Sequence, residues 1–393
     1  MSLGMLRWAV LIACVASFMV VGASQLACVS PSVPIFMDVF GLSAAVAGLM
    51  TSTWALARVV ISLPAGSIIY RFGSRYAYVL GVVLSTVGWG IKSIAPDYLI
   101  ILVGRFIAGL GAGILSVAAP VVISEWFPAK LLSTAMGVWA TAMPIGIIWE
   151  LPLIAWLITN FGWRHTYLLF TIASASTLAF LALVFRAPPP YLVKSNTTIL
   201  KPKVIELLRN KAFIASCTSI FLGMGLWSTY STYIVKWCMV KGFDYMTSSL
   251  VGTILNVGCI VSQVVTGYVS DKLLGGRLRP VFMSGAVLAS LTTIAYALTT
   301  SLSELMITAA IIGVGIAPIT VSMFAIPLKA VKPEMRGMAM GVTGVFMYSA
   351  YVMTSLIGGI YDVFGLMAAA SMISFMGMLS AAVIHVGTRS YKV

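Results

Sequence analysis

Gly66-Ser67-Ile68-Ile69-Tyr70-Arg71-Phe72-Gly73-Ser74-Arg75 closes one long apolar run, and Gly267-Tyr268-Val269-Ser270-Asp271-Lys272-Leu273-Leu274-Gly275-Gly276-Arg277 closes another. The opening glycines stand 201 residues apart in a chain of 393. Each loop sets a glycine before a basic cluster at the same point of the hydrophobic pattern. Repetition at half the chain length predicts an internally duplicated membrane protein, an arrangement typical of transporters.

Composition agrees with that reading. The chain is 60% hydrophobic and 9% charged, with mean hydropathy +1.05. Apolar runs longer than about 18 residues recur, enough to cross a bilayer as helices. Pro and Gly inside them are compatible with membrane helices. No Ala-x-Ala-type cleavage site follows the first run, so it reads as a retained helix and not a signal peptide. The net charge of +14 could suggest nucleic acid, but its distribution points away from it. On the span assignment below, 18 of the 24 Lys and Arg fall on one side, and only Lys92, Arg164, Lys236 and Lys241 on the other. That bias predicts cytoplasmic termini in a multi-pass plasma-membrane protein. Cys14, Cys28, Cys217, Cys238 and Cys259 lie in or beside apolar runs without metal-ligand spacing and read as buried small hydrophobes.

Twelve spans can be drawn, at 7–30, 42–69, 76–95, 98–125, 131–159, 163–187, 211–238, 246–271, 279–299, 304–329, 336–360 and 363–386. The fold class expected is all-α and polytopic, with two pseudo-symmetric six-helix bundles at 1–187 and 211–393. The segment 188–210 links them, and within it residues 202–209 read as a short amphipathic helix on the inner membrane surface, or simply as a tether. Two further matches support duplication. Gly109-Leu110-Gly111-Ala112 is followed 204 residues later by Gly313-Val314-Gly315-Ile316, and Phe161-Gly162 is followed 203 residues later by Phe364-Gly365.

These motifs resemble those of the major facilitator superfamily over essentially the whole chain. The signature loop of that family, Gly-x-x-x-Asp-[Arg/Lys]-x-Gly-x-[Arg/Lys], is matched by Gly66, Arg71, Gly73 and Arg75, with Tyr70 where the family has Asp. The second copy keeps Gly267, Asp271 and Lys272, with Gly275 one residue late and Arg277 following. Arg105, Gly109 and Gly111 match a second signature, Arg-x-x-x-Gly-x-Gly. Gly162-Trp163-Arg164 opens the sixth span as is typical, and Gly137, Pro144 and Gly146 match the antiporter signature only in part. The resemblance implies alternating access around a midplane cavity, lined by spans one, four, seven and ten, with the loops closing an inner gate. Physically, the basic clusters suit an anionic leaflet. The opening glycine would let a neighbouring helix approach. Asp271 could face the positive start of span five near Leu131, which would make the inner gate depend more on Asp271 than on Tyr70.

Three charges fall well inside spans, Arg58, Arg105 and Glu150, each costing on the order of 2.5–3.5 kcal/mol at a helix centre. At 1.5 Å per residue Arg105 lies about 10 Å below the outer surface and Glu150 about 13 Å, so a salt bridge between them is expected, either purely structural or with Glu150 carrying a coupling proton. Arg58, about 24 Å deep, shares a face with Thr51, Ala55, Ser62 and Gly66. It either binds an anion or is satisfied by neighbouring helices. Ser249, Thr253, Asn256, Gln263, Thr266 and Ser270 form a polar stripe that either lines a path or bonds helices together. Trp227, Tyr230 and Tyr348, with Gln25 in span one, are further substrate candidates, although aromatic residues in bundles commonly serve packing.

No phosphate-binding loop, nucleophile–base spacing or metal cluster is visible, and no cofactor is expected. The chain reads as a secondary transporter and not an enzyme, functional as a monomer. Its substrate would be a small organic anion or polar metabolite, with possible proton coupling. Efflux of lipophilic or cationic compounds is the alternative, and a non-transporting membrane receptor a remote one.

Overall fold

The computed structural model describes residues 3–127, 135, 138–139, 141–184, 204–274, 277–331 and 335–389. The side chains of Tyr70, Asp271 and Lys272 lie outside that description, as do Leu131, Gly275 and the linker before Val204. The described residues form helices joined by short turns and include no strand. Nine helices among them are long and apolar enough to cross a membrane.

The first span is longer and more broken than the hydropathy pattern predicts. It runs as α1 (Leu3–Phe18), a π-helical turn (Met19–Ala23), α2 (Ser24–Ala27) and, after a turn at Cys28, α3 (Val29–Phe40). There follow α4 (Ala44–Phe72), α5 (Ser74–Ser93), α6 (Tyr98–Trp126) and α7 (Ala142–Val184). Beyond the linker come α8 (Val204–Arg209), α9 (Lys211–Val240), α10 (Tyr245–Tyr268), α11 (Arg279–Leu298), α12 (Leu302–Lys329), α13 (Arg336–Ser349) and α14 (Val352–Gly387). The eleventh expected span is interrupted at Ala350 and Tyr351, between α13 and α14. Short polar side chains set several helix starts. Asp97 accepts from the Ile100 amide and Asn210 from the Phe213 amide, while Ser301 and Glu304 form a reciprocal capping box. Asp244 caps α10, and the Thr247 side-chain and backbone hydrogen bonds hold its carboxyl below the usual range.

Contacts divide the chain into two compact units. One comprises Met1–Cys28 and Thr53–Leu200, the other Val29–Ser52 and Lys201–Val393. Equivalent glycines build both. A Cβ on Gly81 would stand 2.9 Å from the Gly111 carbonyl oxygen, and one on Gly285 would stand 2.6 Å from that of Gly315. Likewise a Cβ on Gly109 would stand 3.1 Å from the Trp54 carbonyl carbon, and one on Gly313 would stand 3.0 Å from that of Leu255. Gly162 and Gly365 share φ values of 78° and 79° and break α7 and α14 into two helices each. The internal repeat therefore survives as repeated backbone contact.

A Cβ on Gly66 would meet nothing within 4 Å among the described residues. It is Gly73, with φ 86°, that the turn between α4 and α5 requires. All five cysteines are buried and free, as expected. The short helix expected near 202–209 is α8, whose Leu207 joins Ala212, Phe213 and Cys217 in a small apolar cluster.

Within the second unit the start of α4 is held by Asp362. Its carboxylate accepts from the Ala44 and Ala45 amides, each at 2.8 Å. This is an N-terminal helix cap supplied from a residue distant in sequence. The Tyr233 hydroxyl donates to the Ala44 carbonyl at 2.6 Å, and Thr51 bonds Thr232 at 2.8 Å. Asp362→Ala should destabilise the protein by about 1 kcal/mol, the usual cost of a lost cap. The measurement is a thermal melt of purified protein, and an unchanged midpoint would show that the cap contributes nothing.

Candidate functional site

The turn at Cys28 ends the first helical segment, and carbonyls near a helix end lack intrahelical partners. The Gln25 carbonyl takes a hydrogen bond from Arg105 of α6, Nη1 to O at 2.5 Å. The same nitrogen reaches the Gln25 side-chain oxygen at 3.2 Å. That oxygen also accepts from Lys92 Nζ of α5 at 3.0 Å. Gln25, Lys92 and Arg105 are all fully buried. Two like charges about 4 Å apart repel by on the order of 4 kcal/mol at an effective dielectric of about 20. One amide oxygen thus stands between two cations that need it.

Aromatic faces supply the remaining attraction. Lys92 Nζ sits 3.3 Å from the centroid of the Trp89 ring and 5.1 Å from that of Tyr167. Trp89 in turn stacks on Phe170 at 5.1 Å and meets Tyr167 edge-on at 5.1 Å. Room for the Lys92 stem comes from Gly104, where a Cβ would lie 2.7 Å from Lys92 Cγ and 2.8 Å from the Gly88 carbonyl oxygen.

Lys92 is not among the sequence-based candidates, because the charge pattern assigns it to the outer side of the membrane. A signal was present. Gly81, Ser85, Gly88 and Lys92 share one face of α5, and that face of small residues packs against α6.

Trp54 joins this cluster to Arg58. The guanidinium carbon of Arg58 lies 4.7 Å from the Trp54 ring centroid, and that of Arg105 lies 5.7 Å from it. The expected salt bridge between Arg105 and Glu150 is absent. Arg105 turns to Gln25 instead, because the helix break provides a backbone acceptor there. Glu150 is fully buried, and neither carboxylate oxygen has a hydrogen-bond partner among the described residues. Its Oε2 lies 3.6 Å from where a Gly146 Cβ would stand, on the side facing Ala23 and Met19 of the π-helical turn. Equal depth in the bundle does not put the two side chains on facing surfaces.

The remaining candidates lie in the second unit. Trp227 is half-buried and meets Tyr351 edge-on at 5.9 Å, with Tyr348 at 6.5 Å from Tyr351. Tyr230 is fully buried, with ring contacts to Trp237 at 5.5 Å and Tyr296 at 5.8 Å. Asn256 donates to the carbonyl of Gly252 at 2.9 Å, and Gln263 to Thr320 at 3.3 Å. In the loops, Arg71 and Arg277 are exposed and Arg75 is half-buried beside Tyr76. The expected contact of Asp271 near Leu131 falls outside the described residues, as does the side chain of Lys272.

A sequence profile of the Major Facilitator Superfamily matches residues 10–356. The cis,cis-muconate transport protein of Acinetobacter baylyi is 26% identical over 267 residues, 63% of this chain and 62% of that protein. The hexuronate transporter of Escherichia coli is 25% identical over 299 residues, 70% of this chain and 66% of that protein. The matches span less than two thirds of either relative's length. A D-xylose–proton symporter of known structure superposes with TM-score 0.77 at 18% identity, covering 96% of this chain and 97% of that one. That likeness is one of fold.

Gly104→Ala should disturb the site by packing alone, since the added methyl meets the Gly88 backbone as well as Lys92. A destabilisation of about 1–3 kcal/mol is expected from overpacking. The same melt assay reads it, and a midpoint equal to that of the native protein would mean that α5 and α6 separate freely.

Proposed function

The chain belongs to the Major Facilitator Superfamily, and from that premise we propose that this transporter moves a small organic anion by proton-coupled secondary transport. It is an integral, multi-pass membrane protein and not an enzyme. In the proposed arrangement twelve helices form two six-helix bundles, with both termini cytoplasmic, in the plasma membrane. The bundles rock about a central site and expose it alternately to each side. The monomer is the working unit, with the anion, protons and surrounding lipid as its partners.

One observation supports the anionic substrate most directly. The first unit buries Arg58, Lys92 and Arg105 around Trp54 and Gln25, and such cations in an apolar bundle are costly unless they serve a function. The two relatives, a muconate and a hexuronate transporter, are consistent with carboxylate cargo. Glu150 is the fully buried acid among the described residues and the group proposed to carry the coupling proton. Arg58 is proposed to engage the anion.

Uptake by proteoliposomes under an inward proton gradient tests this reading, with cis,cis-muconate and glucuronate as probes. Arg58→Ala should lower uptake at least about tenfold, a transition-state or binding loss of about 1.4 kcal/mol, while the protein remains folded. Native-level uptake in that variant would remove Arg58 from the site. Glu150→Gln should abolish the acceleration by the proton gradient yet keep exchange of internal for external anion. A gradient response that persists would rule out Glu150 as the proton carrier.

A further inference from the structure

The cluster around Gln25 is rich in donors and poor in acceptors. Lys92 carries three N–H groups, and among the described residues its one hydrogen-bond acceptor is Gln25 Oε1. No carboxylate reaches Lys92 among those residues; the other groups on it are the Trp89 and Tyr167 rings. Because Oε1 accepts from both Lys92 and Arg105, the orientation of the Gln25 amide is determined. Its Nε2 is then the donor of that amide. That nitrogen is buried and has no hydrogen-bond partner among the described residues. An amide donor left so in the protein interior is costly and is ordinarily satisfied.

The repeat shows that packing does not demand these charges. Lys92 corresponds, at the 204-residue offset that relates Gly81 to Gly285 and Gly111 to Gly315, to Tyr296. The Tyr296 ring meets that of Tyr230 at 5.8 Å, a neutral aromatic contact in the second unit. The fold therefore accommodates an uncharged side chain where the first unit places an ammonium.

We propose that Gln25, Lys92 and Arg105 form a binding site for the carboxylate of the transported anion, with Lys92 as the residue that gives the site its affinity. A carboxylate supplies two acceptor oxygens and one negative charge, which match the donors of one ammonium, one guanidinium and one amide N–H. Trp54 bears Arg58 as well as Arg105, so an anion engaged at Arg58 stands one side chain away from this site. The inference rests on the anion-transport reading but assigns the carboxylate to residues other than Arg58.

Calorimetric titration of the full-length protein in detergent with cis,cis-muconate and glucuronate tests it, with glucose as the neutral control. Lys92→Met should weaken anion binding at least about tenfold, and Lys92→Arg should restore part of it. Gln25→Glu places a carboxylate between the two cations from within, so it should raise the melting midpoint and abolish anion binding. Native affinity in Lys92→Met or in Gln25→Glu would overturn the site while leaving anion transport intact. If the native protein binds neither anion but carries a neutral or cationic compound, both readings fail. Should Lys92→Met not fold, Gln25→Glu decides the question alone, because it fills the acceptor position without removing a buried side chain.

Discussion

One amide oxygen, that of Gln25, accepts from Lys92 and Arg105 together, and much of the first unit is arranged to make this possible. The turn at Cys28 exposes the Gln25 carbonyl to Arg105. Gly104 and Gly88 bring α5 and α6 close enough for the Lys92 stem to lie between them. Trp89, held by Phe170 and Tyr167, presents the ring face over which the ammonium rests. Without water, charged groups depend on such partners for their stability, and the constraint propagates outward into helix spacing and backbone breaks.

The duplication shows what the architecture itself needs. Gly81 against Gly111 and Gly285 against Gly315 are the same contact made twice, and so are Gly109 on Trp54 and Gly313 on Leu255. These contacts require a missing Cβ and tolerate little else. Side chains that project beyond them have diverged. The first unit carries Arg58, Lys92, Arg105 and Glu150 in its interior, whereas the second is lined by hydroxyls and rings such as Thr232, Tyr230 and Tyr296. Backbone contact is repeated and chemistry is not.

Much of the fold was legible in advance because membrane helices announce themselves by length and hydropathy. The loops at Gly66 and Gly267, the Gly-x-Gly pairs and the Phe-Gly turns mark the repeat in the sequence alone. The site was legible only in part. Arg58, Arg105 and Glu150 stood out as charges inside apolar runs. Lys92 did not, since it lies near a helix end, and a lysine there normally reaches water. The pairing of Arg105 with Glu150 was inferred from depth, and depth along a helix says nothing about the direction in which a side chain faces.

By itself the sequence determined that the chain is a duplicated, all-helical membrane protein of the major facilitator type, because hydropathy, repeat spacing and loop motifs are linear properties. Only the tertiary structure decided which charges meet. It turned Arg105 to Gln25 and away from Glu150, buried Lys92 beside them, and set Asp362 at the start of α4. The physical reason is that these contacts depend on helix rotation and on breaks such as those at Cys28 and the π-helical turn. Those features shift the facing of a side chain without altering the apolar pattern from which the helices are read.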